Sequence, residues 1–149
     1  GKSISNYPVV KGRPFREGDP IADRYFAKLF ENRIIATIAD AKNWGLNSRK
    51  SAKRVTTTFM NVMESFHKDL HSLRAAGPIL LAALAAAHNR AQETSDLLSD
   101  DNLRPVKFLG GVLIETDSSD EISAPTEEQQ ILQKFPFVFV FVGVGDCSC

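Results

Sequence analysis

Two spacings of apolar residues divide this chain. From Asp23 to Phe30 apolar and polar positions alternate in the manner of a strand, with Tyr25, Ala27 and Leu29 on one side and Phe26, Lys28 and Phe30 on the other. Glu31-Asn32-Arg33 reads as a turn, and Ile34 to Ala39 returns, completing a β-hairpin. The spacing then changes to threes and fours. Ala52, Val55, Phe59, Val62, Met63, Phe66 and Leu70 form one apolar face of an amphipathic helix, opposite Arg49, Lys50, Lys53 and Asn61. Asn47 or Ser48 is placed to cap it. Gly77-Pro78 ends the connection, and Pro78 suits the first turn of a second helix. The helix pair is expected over about residues 48–72 and 78–98. Ile79 to Ala87 is apolar on all faces, which predicts a helix sandwiched between other layers. The polar stretch Asn89 to Asn102 leads out of it.

Val106 to Glu115 reads as a strand with Gly110-Gly111 inside it, and paired glycines in a strand indicate a bulge or a close backbone approach. Thr116 to Lys134 is acidic and rich in Ser and Gln, a long loop with a helical turn expected at Glu127 to Leu132. The last strand places Phe135, Phe137, Phe139 and Phe141 on one face and Val138, Val140, Val142 and Val144 on the other. A strand apolar on both faces needs cover on both. One face can meet a second sheet and the other the helix pair, so the pattern predicts a layered α+β domain. Gly1 to Gly18, punctuated by Pro8, Gly12 and Pro14, reads as a short strand around Tyr7 to Val10 followed by loop.

The 149 residues suit one domain over 1–149, and an apolar fraction of 43% supports a core. Eighteen basic and eighteen acidic residues cancel, which leaves no electrostatic argument for a nucleic-acid or membrane-surface partner. No apolar run reaches the roughly 20 residues of a membrane span, and no secretory signal is visible. Cys147 and Cys149 do not suggest a disulfide framework, so an intracellular, cytoplasmic setting is expected.

The candidate chemistry lies at strand ends. Ile34 to Ala39 delivers Asp40 to its own end, and Phe137 to Gly145 delivers Asp146 in the same way. A rigid sheet that ends in a carboxylate is a common way to build a metal or catalytic site. These two segments, together with Pro20-Ile21-Ala22-Asp23-Arg24-Tyr25-Phe26 and Leu109-Gly110-Gly111-Val112-Leu113-Ile114, resemble in order the motifs of the metal-dependent protein phosphatases of the PP2C (PPM) family. The resemblance spans nearly the whole chain.

It implies an αββα sandwich of antiparallel sheets flanked by helix pairs, represented here by a partial domain, incomplete at the C-terminus. It implies Mg²⁺ or Mn²⁺ as cofactor. Asp40 would bridge two such ions, the backbone carbonyl of Ala41 would add a ligand, Asp23 would match the second acid of the family's Glu-Asp pair, and Asp146 would serve an additional metal. The family's phosphate-binding arginine falls, ungapped, on Gly18, with Arg16 or Arg13 as stand-ins after a loop shift. The chain departs from the family at Ala22, where a glutamate is expected, at Ala41, where a glycine is, and at Lys42-Asn43-Trp44-Gly45, which replaces His-Gly-Gly.

Two functions follow. One is hydrolysis of phosphoserine and phosphothreonine in a phosphoprotein substrate by metal-activated water, with this chain alone catalytically incomplete. The other is a pseudophosphatase that keeps the fold and binds a protein partner. The departures favour the second for this chain, and an exposed edge on the Phe/Val strand would promote association with another chain. Asp23, Asp40 and Asp146 are expected to converge at one end of the fold. His67 and His71, four apart on the predicted helix, are read as surface residues instead of a metal pair. Gly1-Lys2-Ser3 lacks the upstream glycine and strand of a phosphate loop, and Cys147-Ser148-Cys149 continues a strand instead of forming a prenylated tail.

Overall fold

The computed structural model describes residues 5, 7–42, 45–92, 106–115 and 137–145. The elements are β1 (Arg24–Phe30), β2 (Arg33–Ala41), α1 (Leu46–Ser65), α2 (Leu73–Gln92), β3 (Val106–Glu115) and β4 (Phe137–Val144), with a 3-10 turn at His67–Asp69. The strands form one antiparallel sheet in the order β1-β2-β3-β4. The expected hairpin is present, closed by the pair Phe30↔Arg33 around Glu31-Asn32, so Arg33 belongs to the strand and not to the turn. The Ile34–Asp40 and Phe137–Val144 segments share this sheet, with β3 between them.

The backbone hydrogen bond from Glu115 N to Asn32 O sets the parity of the sheet. Even-numbered residues of β2 bond toward β3 and odd-numbered ones toward β1, because antiparallel bonding alternates along a strand. On β1 the even-numbered residues therefore bond inward, while Tyr25, Ala27 and Leu29 turn their backbone groups to the open edge.

Side chains sort by the same parity. Ile35, Thr37, Ala39 and Ala41 of β2, with Phe108, Val112 and Ile114 of β3, face the helices and are buried. Helix α1 meets them with Ala52, Val55, Phe59, Met60 and Met63, and α2 with Ala76, Leu80, Ala83 and Ala87. Close approach of α1 to the sheet depends on Gly110. The Phe59 ring occupies the space over it, and a Cβ at this position would lie 2.6 Å from that ring. Phe59 and Phe108 pack as tilted rings with centroids 5.0 Å apart. The paired glycines thus mark a close approach and not a bulge, since the β2–β3 register runs through them without a break.

The end of the hairpin is tied to the end of α1. Phe30 stacks on His67 with centroids 4.8 Å apart, the Arg33 guanidinium donates to the His67 carbonyl, and Lys28 pairs with Glu64 at 2.8 Å.

Helix α1 ends at Ser65, earlier than expected, and Phe66 is 46% exposed while Leu70 reaches the core beyond the 3-10 turn. Asn47 and Ser48 lie inside the helix. Its start is at Gly45, and the Ser48 hydroxyl donates to the Lys42 carbonyl at 2.9 Å. Helix α2 begins at Leu73, not at Pro78, which sits inside it. The start signal is Ser72, whose hydroxyl accepts from Ala75 N at 3.3 Å as an N-cap does. Pro78 and Arg74, whose carbonyl the proline cannot bond, are both exposed residues on this side of the helix. Helix α2 is not sandwiched among the described residues. Leu81 is 60% exposed because it lies away from the side of α2 that packs on the core, where Ala76, Leu80, Ala83 and Ala87 are flanked by Ile79 and Leu84. The stretch beyond Gln92, and the expected loop and helical turn between β3 and β4, lie outside the described residues.

The Tyr7–Val10 segment forms a small turn closed by an isolated Val9↔Arg16 bridge rather than a strand. The opposite face of the sheet carries Tyr25, Leu29, Ile38, Phe137, Phe139 and Phe141, and is open among the described residues. The structure is thus an α+β layer pair, one antiparallel sheet under one helix pair. A second sheet is not present among the described residues.

Gly110→Ala is expected to destabilise the fold by about 1–3 kcal/mol through overpacking against Phe59. In a Phe59→Leu background the same substitution should cost clearly less. Urea unfolding of the four proteins measures the coupling; equal costs in both backgrounds would mean that Phe59 does not set this contact.

Candidate metal-binding carboxylate pair

Asp40 is the next-to-last residue of β2 and Asp23 immediately precedes β1. The pair Arg24↔Ala39 puts Asp23 opposite Asp40. Arg24 and Ala39 exchange backbone hydrogen bonds by the parity above, so the Asp23–Asp40 position falls between bonded pairs, where cross-strand side chains stand closest. Both carboxylates lie on the open face. The expected convergence of these two residues is therefore present.

Their proximity has an electrostatic consequence. The Asp23 carboxyl is raised above its ordinary 3.8 by burial first, and then by the hydrogen bond and the negative charge of Asp40. Two carboxyl groups this close favour sharing one proton, because full ionisation leaves like charges side by side. A cation can replace that proton. Lys107 of β3 lies across from Asp40 on the same face, a positive neighbour that strand pairing alone reveals.

The other candidates fall elsewhere. Ala41 is buried against the helices, so only its backbone carbonyl is available as a ligand. Ala22 is 3% exposed, and a longer acidic side chain at that position would have to enter packed surroundings. The Arg16 guanidinium donates to the Tyr7 carbonyl at 2.9 Å, and the Arg16 backbone N–H donates to Asp19 Oδ2 at 2.9 Å. Gly18 has φ +79° and stands against the Tyr7 ring, where a Cβ would come within 3.2 Å. An arginine at that position would need a rearranged loop.

Asp146 lies outside the described residues. Its neighbour Gly145 packs beside Lys107 and is two strands from Asp40, about 10 Å at the usual strand spacing. His67 and His71 do not share a helix. His67 is in the 3-10 turn, where its Nδ1 bonds the Glu64 carbonyl at 2.8 Å, and His71 follows that turn. The Gly1-Lys2-Ser3 and Cys147-Ser148-Cys149 segments lie outside the described residues.

Among the described residues no group of three or more His, Cys, Asp or Glu side chains is arranged to hold a metal ion. The site is a pair of carboxylates, hard oxygen donors of the kind that hard divalent cations accept. No described helix is long and apolar enough to cross a membrane. Comparison with family models, curated proteins and solved structures gave no significant match.

The shared proton predicts a pH dependence. The folded chain holds the Asp23 proton more tightly than the unfolded chain, so stability falls as the pH rises from near 3.8 through the raised folded value, and stays reduced above it. Asp40→Asn should remove the part of this loss that Asp40 causes and leave the larger part that burial causes. The variant should be more stable than the parent at neutral pH, and the gap should close below 3.8. Urea midpoints across that range measure it; a parent that gains stability over the variant on the way up would show that the two acids do not interact as described.

Proposed function

We propose that this chain carries the first metal-holding carboxylates of a PP2C-type phosphoprotein phosphatase. The observation that carries the reading is the Asp23–Asp40 pair, brought together at one end of the sheet in the positions the family resemblance assigns to metal ligands. The open apolar face of the sheet, where a sandwich would place its second sheet, also supports it. Bound Mg²⁺ or Mn²⁺ would supply a hydroxide from coordinated water and hold the phosphoryl group of phosphoserine or phosphothreonine for in-line attack. The part of this chain is to hold the cation. Asp40 and Asp23 would offer carboxylate oxygens from a rigid hairpin and Ala41 its carbonyl, and the proton that Asp23 holds would have to leave for a cation to bind.

A second reading is a pseudophosphatase that serves as a protein-interaction module. It is favoured by the buried Ala22 and by the engagement of Arg16 with Tyr7, which together remove one expected metal ligand and occupy one of the two arginine stand-ins.

Calorimetric titration with Mn²⁺ tests the metal site. Weak binding is expected, strengthening as the pH rises through the range where Asp23 loses its proton, and abolished by Asp40→Asn or Asp23→Asn. Binding unchanged in both variants would refute the site. The chain alone is expected to be without appreciable turnover of p-nitrophenyl phosphate at saturating Mn²⁺, since one carboxylate pair cannot hold two divalent ions against water. Robust turnover lost in Asp40→Ala would show that a complete centre is present.

A further inference from the structure

The open edge of β1 combines three features that no part of the carboxylate site uses. Tyr25, Ala27 and Leu29 direct their backbone N–H and C=O groups outward, as the sheet parity requires, and β1 has no neighbour on that side among the described residues. A cleft of about 500 Å³ runs beside this edge, lined by Arg24, Tyr25, Phe26, Ala27 and Lys53. The cleft is basic: among the described residues its lining has two cations and no acid. The Arg24 Nε is buried and has no hydrogen-bond partner, and among the described residues neither Arg24 nor Lys53 has a carboxylate within 4.0 Å.

The contrast with Lys28 is informative. Lys28 sits on the same face of the same strand, and its charge is satisfied by Glu64 at 2.8 Å. Arg24 lies two turns of the alternation away toward the start of β1, next to the first half of α1, where Arg49, Lys50, Lys53 and Arg54 occur without an acid. A buried guanidinium N–H without an acceptor is costly, and an arriving oxygen ligand would relieve it.

We propose that the β1 edge is a docking groove for an extended acidic segment of a partner protein. The segment adds to β1 as a fifth strand, bonding the outward groups of Tyr25, Ala27 and Leu29. An acidic side chain on its helix-facing side enters the cleft between Arg24 and Lys53, and an apolar one beside it covers Phe26, which is 44% exposed. Main-chain bonds of this kind give affinity and side-chain pockets give specificity. The described lining of the cleft, two cations and no acid, favours an acidic segment as the occupant, and a second copy of this chain is the alternative that the test separates. The proposal does not depend on the phosphatase reading.

The test uses a fluorescent peptide of about eight residues with threonine at every second position and glutamate and valine in turn between them, so that one face carries both, with a lysine-for-glutamate peptide as control. Anisotropy should show saturable binding of the acidic peptide, weakened by salt, and none of the control. Lys53→Glu, a surface change, should weaken binding by more than about tenfold. Ala27→Pro should abolish it, because it removes an outward N–H and no ladder bond, so the fold is retained by circular dichroism. Amide exchange at Tyr25, Ala27 and Leu29 should slow when the peptide binds. Affinity unchanged in Ala27→Pro, or unchanged in Lys53→Glu, would overturn the proposal. So would a dimer of the chain in sedimentation that Ala27→Pro dissolves, since a second copy would then hold the edge.

Discussion

The structure depends on the seating of Phe59 over Gly110. Helix α1 can approach the sheet only where β3 presents no side chain, and Gly110 supplies that place at the centre of the helix-facing side. With the ring fully buried there, Ala52, Val55 and Met63 on the same helix face come into contact with β2 and β3. The neighbouring glycine serves the other side of the sheet: a Cβ at Gly111 would collide with the Val140 carbonyl and the Phe139 ring. One glycine admits the helix layer and the next admits the close pairing of β4 and the lean of its aromatic stripe. The two faces of the sheet are thus shaped by adjacent residues.

From that contact the carboxylate pair follows by geometry. Helix α1 holds β2 from one face, the hairpin turn holds β1 in register against β2, and the stack of Phe30 on His67 with the Arg33 contact anchors the turn to the end of α1. At the opposite end of the hairpin, the same register leaves Asp23 and Asp40 side by side. Their mutual repulsion is a local cost that the rest of the hairpin sustains. Two like charges held side by side by a rigid element also form a place where a proton or a cation lowers the repulsion. The opposite charge pattern at the β1 edge, two cations without acids, lies on the other face of the same strand, so β1 separates an acidic feature from a basic one by the alternation of its side chains.

Much of this was legible in the residues. The hairpin, β3 and β4 stand within a few residues of where alternation placed them, because a period of two survives in any strand with one buried face. The apolar stripe of α1 was legible for the same reason at period 3.6. The helix boundaries were less so. Pro78 reads as a helix start only if local preference decides, whereas Ser72 supplies a cap one turn earlier and the contacts of Ala76 and Leu80 hold the proline inside. The all-apolar look of Ile79 to Ala87 came from alanines, which are tolerated equally inside and outside, so composition there could not tell a covered face from an open one.

By itself the sequence determined the element types, the apolar faces of α1 and β4, and the delivery of an aspartate to the end of β2. These are properties of local periodicity and need no partner. Only the tertiary structure decided which strand end meets Asp40, since pairing across a hairpin depends on register, and register turned on whether Arg33 belonged to the turn or the strand. It also decided that Gly110 receives a phenyl ring from a helix fifty residues earlier, that Lys107 stands across from Asp40, and that the Nε of the half-buried Arg24 is covered without a partner beside an open edge. Each of these joins residues far apart in the chain, and non-local contacts carry no signature in the spacing of residues along it.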